Sequence, residues 1–333
     1  MSASAALLPV ILFLVTLYVM DSFKLVPVRD VVATLAAGAV SALAVLWLHG
    51  SVLPLDGLSP GVVSRYVAPF TEEAAKGLLV VLLISTGRVG FLVDAAVLGF
   101  AIGAGFALVE NVLYLRALPN ATVWLFLVRG LGTAMLHGAT TAIIAMVARA
   151  QIGRRPRRPL AAYLPGYAVA VAIHSGSNHL LLQPVAQALI ILMILPAIVI
   201  WVFDRSERAT REWVSAGLDL DLEVLQLIVS EHFAVTRFGR YLQELRARFP
   251  GPVVADMYCL LRLELELAVQ AKALVMARGA GLELAADSDL DAALAERAYL
   301  HRSIGATGLL ALKPLQVTSH RDQWHRHLLH RSR

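Results

Sequence analysis

The sequence predicts an all-α protein: a polytopic membrane helical bundle of about seven transmembrane helices, followed by a C-terminal helical soluble domain. Three observations lead there. The 333 residues are 58% hydrophobic and only 16% charged, where an ordinary soluble domain has about 25% charged. The deficit is uneven: residues 1–203 are nearly all apolar, whereas 204–333 carry the charge density of a soluble domain. The apolar part also falls into runs of about 20 residues, the length of a helix that crosses the hydrocarbon core. We therefore expect a membrane domain at 1–203 and a helical regulatory or docking domain at 204–333.

The first apolar run, Ala5–Met20, lacks a basic leading segment and a small-residue cleavage site, so it reads as a span and not as a signal peptide. The seven spans lie roughly at 4–20, 29–48, 66–86, 91–115, 125–148, 160–182 and 184–203. Turn and breaker residues separate them, at Asp21–Pro27, Leu53-Pro54-Leu55-Asp56-Gly57, Gly87-Arg88, Pro119-Asn120, Arg154–Pro159 and Gln183-Pro184. The last break is tight, so spans six and seven should form a hairpin. Gly99, Gly103 and Gly105 in span four, with Gly130, Gly132 and Gly138 in span five, are small residues of the kind that let membrane helices approach closely.

Orientation follows from the basic residues of short loops. Lys24, Arg29, Arg88, Arg149, Arg154, Arg155, Arg157, Arg158 and Arg205 share one side, against Arg65 and Arg116 on the other, with Arg129 at its interface. The sequence thus places the chain in the cytoplasmic (inner) membrane with its N-terminus extracytoplasmic and its C-terminal domain cytoplasmic. The tail should form helices near 207–216, 219–234, 236–249, 253–278, 288–303 and 318–331. Ser288-Asp-Leu-Asp291 has the spacing of a capping box. His320, His325, His327 and His330 read as a solvated basic helix near anionic headgroups. The single Cys259 excludes an internal disulfide and reads as a small core residue. The net charge of +5 forms no basic, aromatic-interleaved patch, so no nucleic-acid partner is expected.

Against this apolar background stand Glu72-Glu73-Ala-Ala-Lys76, Phe106-x-x-x-Glu110-Asn111, His137 and His174-x-x-x-Asn178. An ionisable group at the centre of a bilayer costs at least ~2.5 kcal/mol, so such groups must pair with one another, a metal or water. At about 1.5 Å of rise per residue, all of them fall in the outer half of the bilayer at similar depth. Glu72 and Lys76 are i,i+4 neighbours and can pair, while Glu73 points about 100° away. Asp94 and Arg129 sit near span ends and read as interfacial anchors, Thr71 could cap the helix that carries Glu72, and His179 reads as structural.

A carboxylate beside His and Asn can perform hydrolysis: the carboxylate takes a proton from water, His holds the water or a metal, and Asn with His stabilises the developing oxyanion. The candidate catalytic residues are Glu72, Glu73, Lys76, Glu110, His137, His174 and Asn178. Glu73, Glu110, His137 and His174 could instead hold a divalent metal such as Zn2+ with an open position for water. The residues leave open whether the mechanism is metal-assisted or glutamate-only. Two other classes compete: a proton- or metal-coupled transporter, and a catalytically silent membrane scaffold or sensor. A transporter should carry inverted repeats, and spans 1–3 and 5–7 have no convincing internal symmetry.

These groups, in this order, resemble the PrsW family of intramembrane proteases, relatives of the CAAX prenyl endopeptidases and bacteriocin-processing proteins. The resemblance rests on Glu72-Glu73-Ala74-Ala75-Lys76, Phe106-Ala-Leu-Val-Glu110-Asn111 with Tyr114, His137 and His174-Ser-Gly-Ser-Asn178, and covers roughly 60–205. It implies an intramembrane endopeptidase acting on a membrane-anchored, single-span protein near the extracytoplasmic face, with an anti-sigma factor as the family's best-known substrate. It implies that Glu72 and Glu73 contain the water-activating base, that Glu110 is a second base or metal ligand, that His174 and Asn178 form the oxyanion or ligand pair, and that His137 is the remaining motif histidine. Lys76 in place of the relatives' arginine, and Glu110 in place of their histidine, favour the PrsW branch.

Overall fold

The computed structural model describes residues 2–21, 26–53, 57–152, 160–282 and 289–315, and among them every regular element is helical. The chain divides into two compact units, Met1–Glu207 and Arg208–Arg333.

The first unit holds α1 (Ser2–Met20), α2 (Val28–Ser51), α3 (Pro60–Val62), a π-helical turn (Val63–Val67), α4 (Ala68–Ser85), α5 (Leu92–Ala117), α6 (Val123–Val128), a second π turn (Arg129–Thr133), α7 (Ala134–Ile152), α8 (Leu164–Asn178) and most of the apolar part of α9 (Pro184–Val229). Among the described residues, five helical stretches are long and apolar enough to cross a membrane on their own: Ser2–Met20, Val28–Ser51, Leu92–Ala117, Val123–Ile152 and Pro184–Val229. The two remaining expected spans correspond to α4, which carries Glu72, Glu73 and Lys76, and to α8, which has only 15 residues. Charge and shortness set these two apart, and both supply site residues.

Helix α5 is the centre of the unit, buried without interruption from Val93 to Ala107. It packs between α2 and α7. Two glycines make that possible. A Cβ on Gly103 would come within 2.1 Å of the His137 carbonyl oxygen, and one on Gly105 within 1.9 Å of the Leu35 carbonyl oxygen. Backbones in direct contact are the membrane solution to packing without a hydrophobic driving force, and here the contact seats His137 against α5.

Several boundaries differ from the sequence expectation, each for a local reason. The helix bearing Glu72 begins at Pro60, capped by Ser59, whose side chain accepts from the Val62 amide. Thr71 therefore is no cap; it lies inside the helix and donates to the Val67 and Ala68 carbonyls. Glu72 and Glu73, a dozen residues into this rod, gain nothing from a helix N-terminus, whose field fades within one turn. Helix α8 stops at Asn178, and Leu180 follows with φ of 50°. Helix α9 runs for 46 residues, absorbing the first two expected tail helices, because the charged stretch after Phe203 is rich in helix formers and has no breaker cluster.

In the second unit α10 (Arg237–Leu245), α11 (Gly251–Gly279) and α12 (Leu290–Leu312) enclose a core that includes Met257, Leu260, Leu267, Leu300 and Leu312. Inside it Lys272 Nζ donates to Asp221 Oδ2 at 2.6 Å. Cys259 is exposed, not a core residue, because Met257, Leu260 and Leu261 take the inward face of α11. Lys24, Asp56, Arg154, Arg155, Arg157, Arg158, Ser288 and the expected helix at 318–331 with its histidines lie outside the described residues.

Candidate active site

The polar groups of α4, α5, α7 and α8 meet in one buried cluster. Each π turn precedes such a group by about one or two helical turns: Val63–Val67 precedes Glu72 and Glu73, and Arg129–Thr133 precedes His137. An inserted residue rotates the register of all that follows, and π turns are frequent at functional sites for that reason.

Glu73 and Lys76 share the inward face of α4, their side chains 0% exposed and joined at 2.6 Å. The sequence paired Lys76 with Glu72 instead. The i,i+3 and i,i+4 positions are both within reach on a helix, and burial decides between them. An ammonium this deep requires a carboxylate of equal depth, whereas Glu72 lies at the rim with its side chain 16% exposed.

Glu73 Oε1 accepts three hydrogen bonds, from Lys76 Nζ at 2.6 Å, His174 Nδ1 at 2.8 Å and Thr140 Oγ1 at 3.2 Å. Lys76 Nζ also donates to His137 Nδ1 at 3.0 Å. On the far side of that ring, His137 Nε2 lies 2.8 Å from Glu110 Oε2, and Glu110 Oε1 is held at 3.0 Å by Arg129. Arg129 Nε donates to Asn111 Oδ1 at 3.3 Å and the guanidinium stacks 3.5 Å above the Tyr114 ring. Asn111 Nδ2 reaches the Ala6 carbonyl of α1 at 2.8 Å. Arg129 is thus a member of the network and not the interfacial anchor the sequence suggested. Its signal was an arginine two helical turns before His137 in an apolar stretch. Thr140, one turn beyond His137, was also missed; a threonine in a membrane helix carries no distinguishing mark.

The two imidazoles meet edge to face with centroids 4.8 Å apart, and the Phe106 ring packs on His137 at 5.3 Å. Donor atoms of Glu72, His137 and His174 all lie within 4.8 Å of one another. Here Glu72 takes the place expected for Glu73, whose Oε1 is occupied in orienting His174, and Glu110 is held by Arg129 instead of joining the set. Three buried atoms of the cluster, Glu72 Oε2, Glu73 Oε2 and His137 Nε2, make no hydrogen bond, the last lying 2.8 Å from Glu110 Oε2. A buried polar atom left unmatched costs ~1–3 kcal/mol, so three at one place mark a site built to receive a ligand. One carboxylate and two imidazoles form a donor set suited to zinc. With Nδ1 donating to Glu73, His174 turns its Nε2 lone pair toward Glu72, the carboxylate–histidine arrangement that orients metal ligands. The residues present therefore fit a divalent metal.

Asn178 is engaged elsewhere. Its Nδ2 donates to the Ser64 carbonyl at 2.9 Å. Ser175 Oγ donates to the Arg65 carbonyl at 2.6 Å, and Tyr167 OH to the Phe70 carbonyl at 2.9 Å. His179, read as structural from sequence, meets the Tyr66 hydroxyl at 3.0 Å. The partners run in opposite order along the two helices, so α8 lies antiparallel to the π turn and α4, sewn to their carbonyls.

The model of a family described as PrsW family intramembrane metalloprotease matches residues 26–203. No curated protein and no solved structure matches the chain.

Proposed function

The chain belongs to the PrsW family of intramembrane metalloproteases, and from that premise we propose that this membrane peptidase hydrolyses a peptide bond of a single-span, membrane-anchored protein near the extracytoplasmic face. The observation that carries the reading is the convergence of Glu72, Glu73, Glu110, His137 and His174, from α4, α5, α7 and α8, around buried atoms without partners.

Glu72 and His174 would hold the metal, with His137 Nε2 joining them once it gives up the proton it carries while Nδ1 accepts from Lys76; the metal would supply Lewis acidity to polarise the scissile carbonyl. Glu73 is the base. Its Oε1 is tied by Lys76, Thr140 and His174, which leaves Oε2 free and fixed in direction to take a proton from the attacking water and return it to the leaving amine. Lys76 compensates the buried carboxylate and orients the His137 ring through Nδ1. Glu110, held by Arg129, lies 2.8 Å from the other nitrogen of that ring. Glu72 and Glu110 lie at the rim of the cluster, their side chains 16% and 26% exposed. The basic-residue bias supports an inner-membrane protein with an extracytoplasmic N-terminus and a cytoplasmic tail that docks or regulates. An anti-sigma factor is the first substrate to try.

The test is cleavage in proteoliposomes of single-span reporters tagged on both sides. Wild type should release a fragment whose mass places the bond in the outer half of the span. Folded wild type that leaves every reporter intact, and conducts ions instead, would refute the peptidase reading.

A further inference from the structure

Between α4 and α8 the seam described above has a gap. The Ser175–Arg65 hydrogen bond closes it at one end and the Tyr167–Phe70 hydrogen bond at the other. Within the gap lies a groove of about 450 Å³ lined by Tyr66, Val67, Phe70, Val171 and Ser175. Two lining residues stand one helical turn from the cluster on the same two helices, Phe70 three residues before Glu73 and Val171 three before His174. Glu73 and His174 are themselves joined at 2.8 Å, so the groove's two walls are tied together by catalytic side chains. Tyr66 and Phe70 are 58% and 57% exposed, which opens the groove to the outside of the bundle.

We propose that this groove is the side-chain subsite of the peptidase, taking one large aliphatic or aromatic residue of the substrate's transmembrane segment next to the scissile bond. The inference rests on the peptidase reading above. The occupant follows from the chemistry. The lining is apolar apart from the Ser175 and Tyr66 hydroxyls, and these are committed to the Arg65 carbonyl and to His179, so no free polar group remains to match a charged or amide side chain. The volume, about 450 Å³, admits one bulky side chain with room to spare. The position suits an extended substrate strand that enters between α4 and α8 from the lipid, because the groove's lining stands on the same two helices as Glu73 and His174, one turn away. Specificity then resides chiefly in Val67, Phe70 and Val171.

The test uses the full chain in proteoliposomes, with single-span reporters that differ only at the residue preceding or following the mapped scissile bond: Ala, Leu, Phe or Asp. Wild type should prefer Leu or Phe over Ala by ~10-fold or more in kcat/KM, the discrimination that a few methylenes yield in an apolar pocket, and should reject Asp. Val171→Trp, which fills the groove, should collapse the Leu-to-Ala ratio. Val171→Ala, which enlarges it without threatening the fold, should move the optimum from Leu toward Phe. Cleavage by all three proteins with side-chain ratios unchanged would overturn the subsite and leave the peptidase reading standing. Absence of cleavage by folded wild type would overturn both.

Discussion

Among the described residues two buried lysine–carboxylate pairs stand out, one in each compact unit, and both close at 2.6 Å: Lys76 with Glu73 and Lys272 with Asp221. In geometry they are alike. Their surroundings differ. Asp221 and Lys272 leave no buried side-chain atom without a hydrogen bond, while around Glu73 and Lys76 the atoms Glu72 Oε2, Glu73 Oε2 and His137 Nε2 have none. Two imidazoles and two more carboxylates also crowd the first pair. A buried ion pair alone is weak evidence of function or of stability. An excess of polar groups over partners, in a place where each mismatch is costly, is better evidence of a site awaiting a ligand.

The sharpest break in that comparison is Glu73→Gln. The amide oxygen can still accept from Lys76 and His174, but the base is gone, so cleavage should fall by ~10²–10⁴-fold while bound metal, measured by elemental analysis at saturating metal, persists. Loss of metal together with activity would make Glu73 a ligand and not the base.

Next in size are the pairs themselves. Lys76→Met and Lys272→Met each strand a buried carboxylate and should destabilise by ~3–5 kcal/mol, read as a fall in apparent Tm. Replacing both partners separates the two sites. Asp221→Leu with Lys272→Met should restore Tm with cleavage intact. Glu73→Leu with Lys76→Met should recover part of the stability, since His174 Nδ1 and Thr140 Oγ1 lose their acceptor, and leave the protein inactive. Full activity in the second double variant would erase the distinction drawn here.

Gly103→Ala pushes a methyl group toward the His137 carbonyl oxygen, 2.1 Å from the position of its Cβ, and overpacking of this kind costs ~1–3 kcal/mol. Because it moves the backbone of His137, it should reduce activity more than its stability loss explains. Gly217→Ala meets the flexible end of Lys272 and should leave cleavage untouched. Among the site variants, the smallest loss of cleavage is expected of Arg129→Lys. It keeps the charge but not the fork that spans Glu110, Asn111 and the Tyr114 ring, and should lower cleavage by ~10-fold with metal retained.

Much of this site was legible in the sequence, because an ionisable residue in an apolar run stands out whatever its partners. Glu72, Glu73, Lys76, Glu110, His137 and His174 all announced themselves that way. What could not be read was how they pair. Lys76 chose Glu73 over Glu72 because of burial depth, which helical spacing does not encode. Asn178, in step with His174 by its i,i+4 spacing, turned to the Ser64 carbonyl because α8 ends there against a π turn, and nothing in the local composition marks either π turn. The bundle and its helical tail were plain from hydropathy, yet the continuity of α9 past Phe203 was not, because a change from apolar to charged composition reads as a boundary even where the helix does not stop. Cys259 was misread for a similar reason: an apolar segment hides which of its faces is turned out.

The most direct test of the central claim is to measure zinc content and reporter cleavage together on the purified chain, as wild type and as His174→Ala. The account predicts about one zinc per wild-type chain with cleavage, and the loss of both in the variant, since it makes His174, the hydrogen-bond partner of Glu73, a proposed ligand as well. Undiminished cleavage in folded His174→Ala, or cleavage by wild type that neither contains metal nor yields to a chelator, would contradict it.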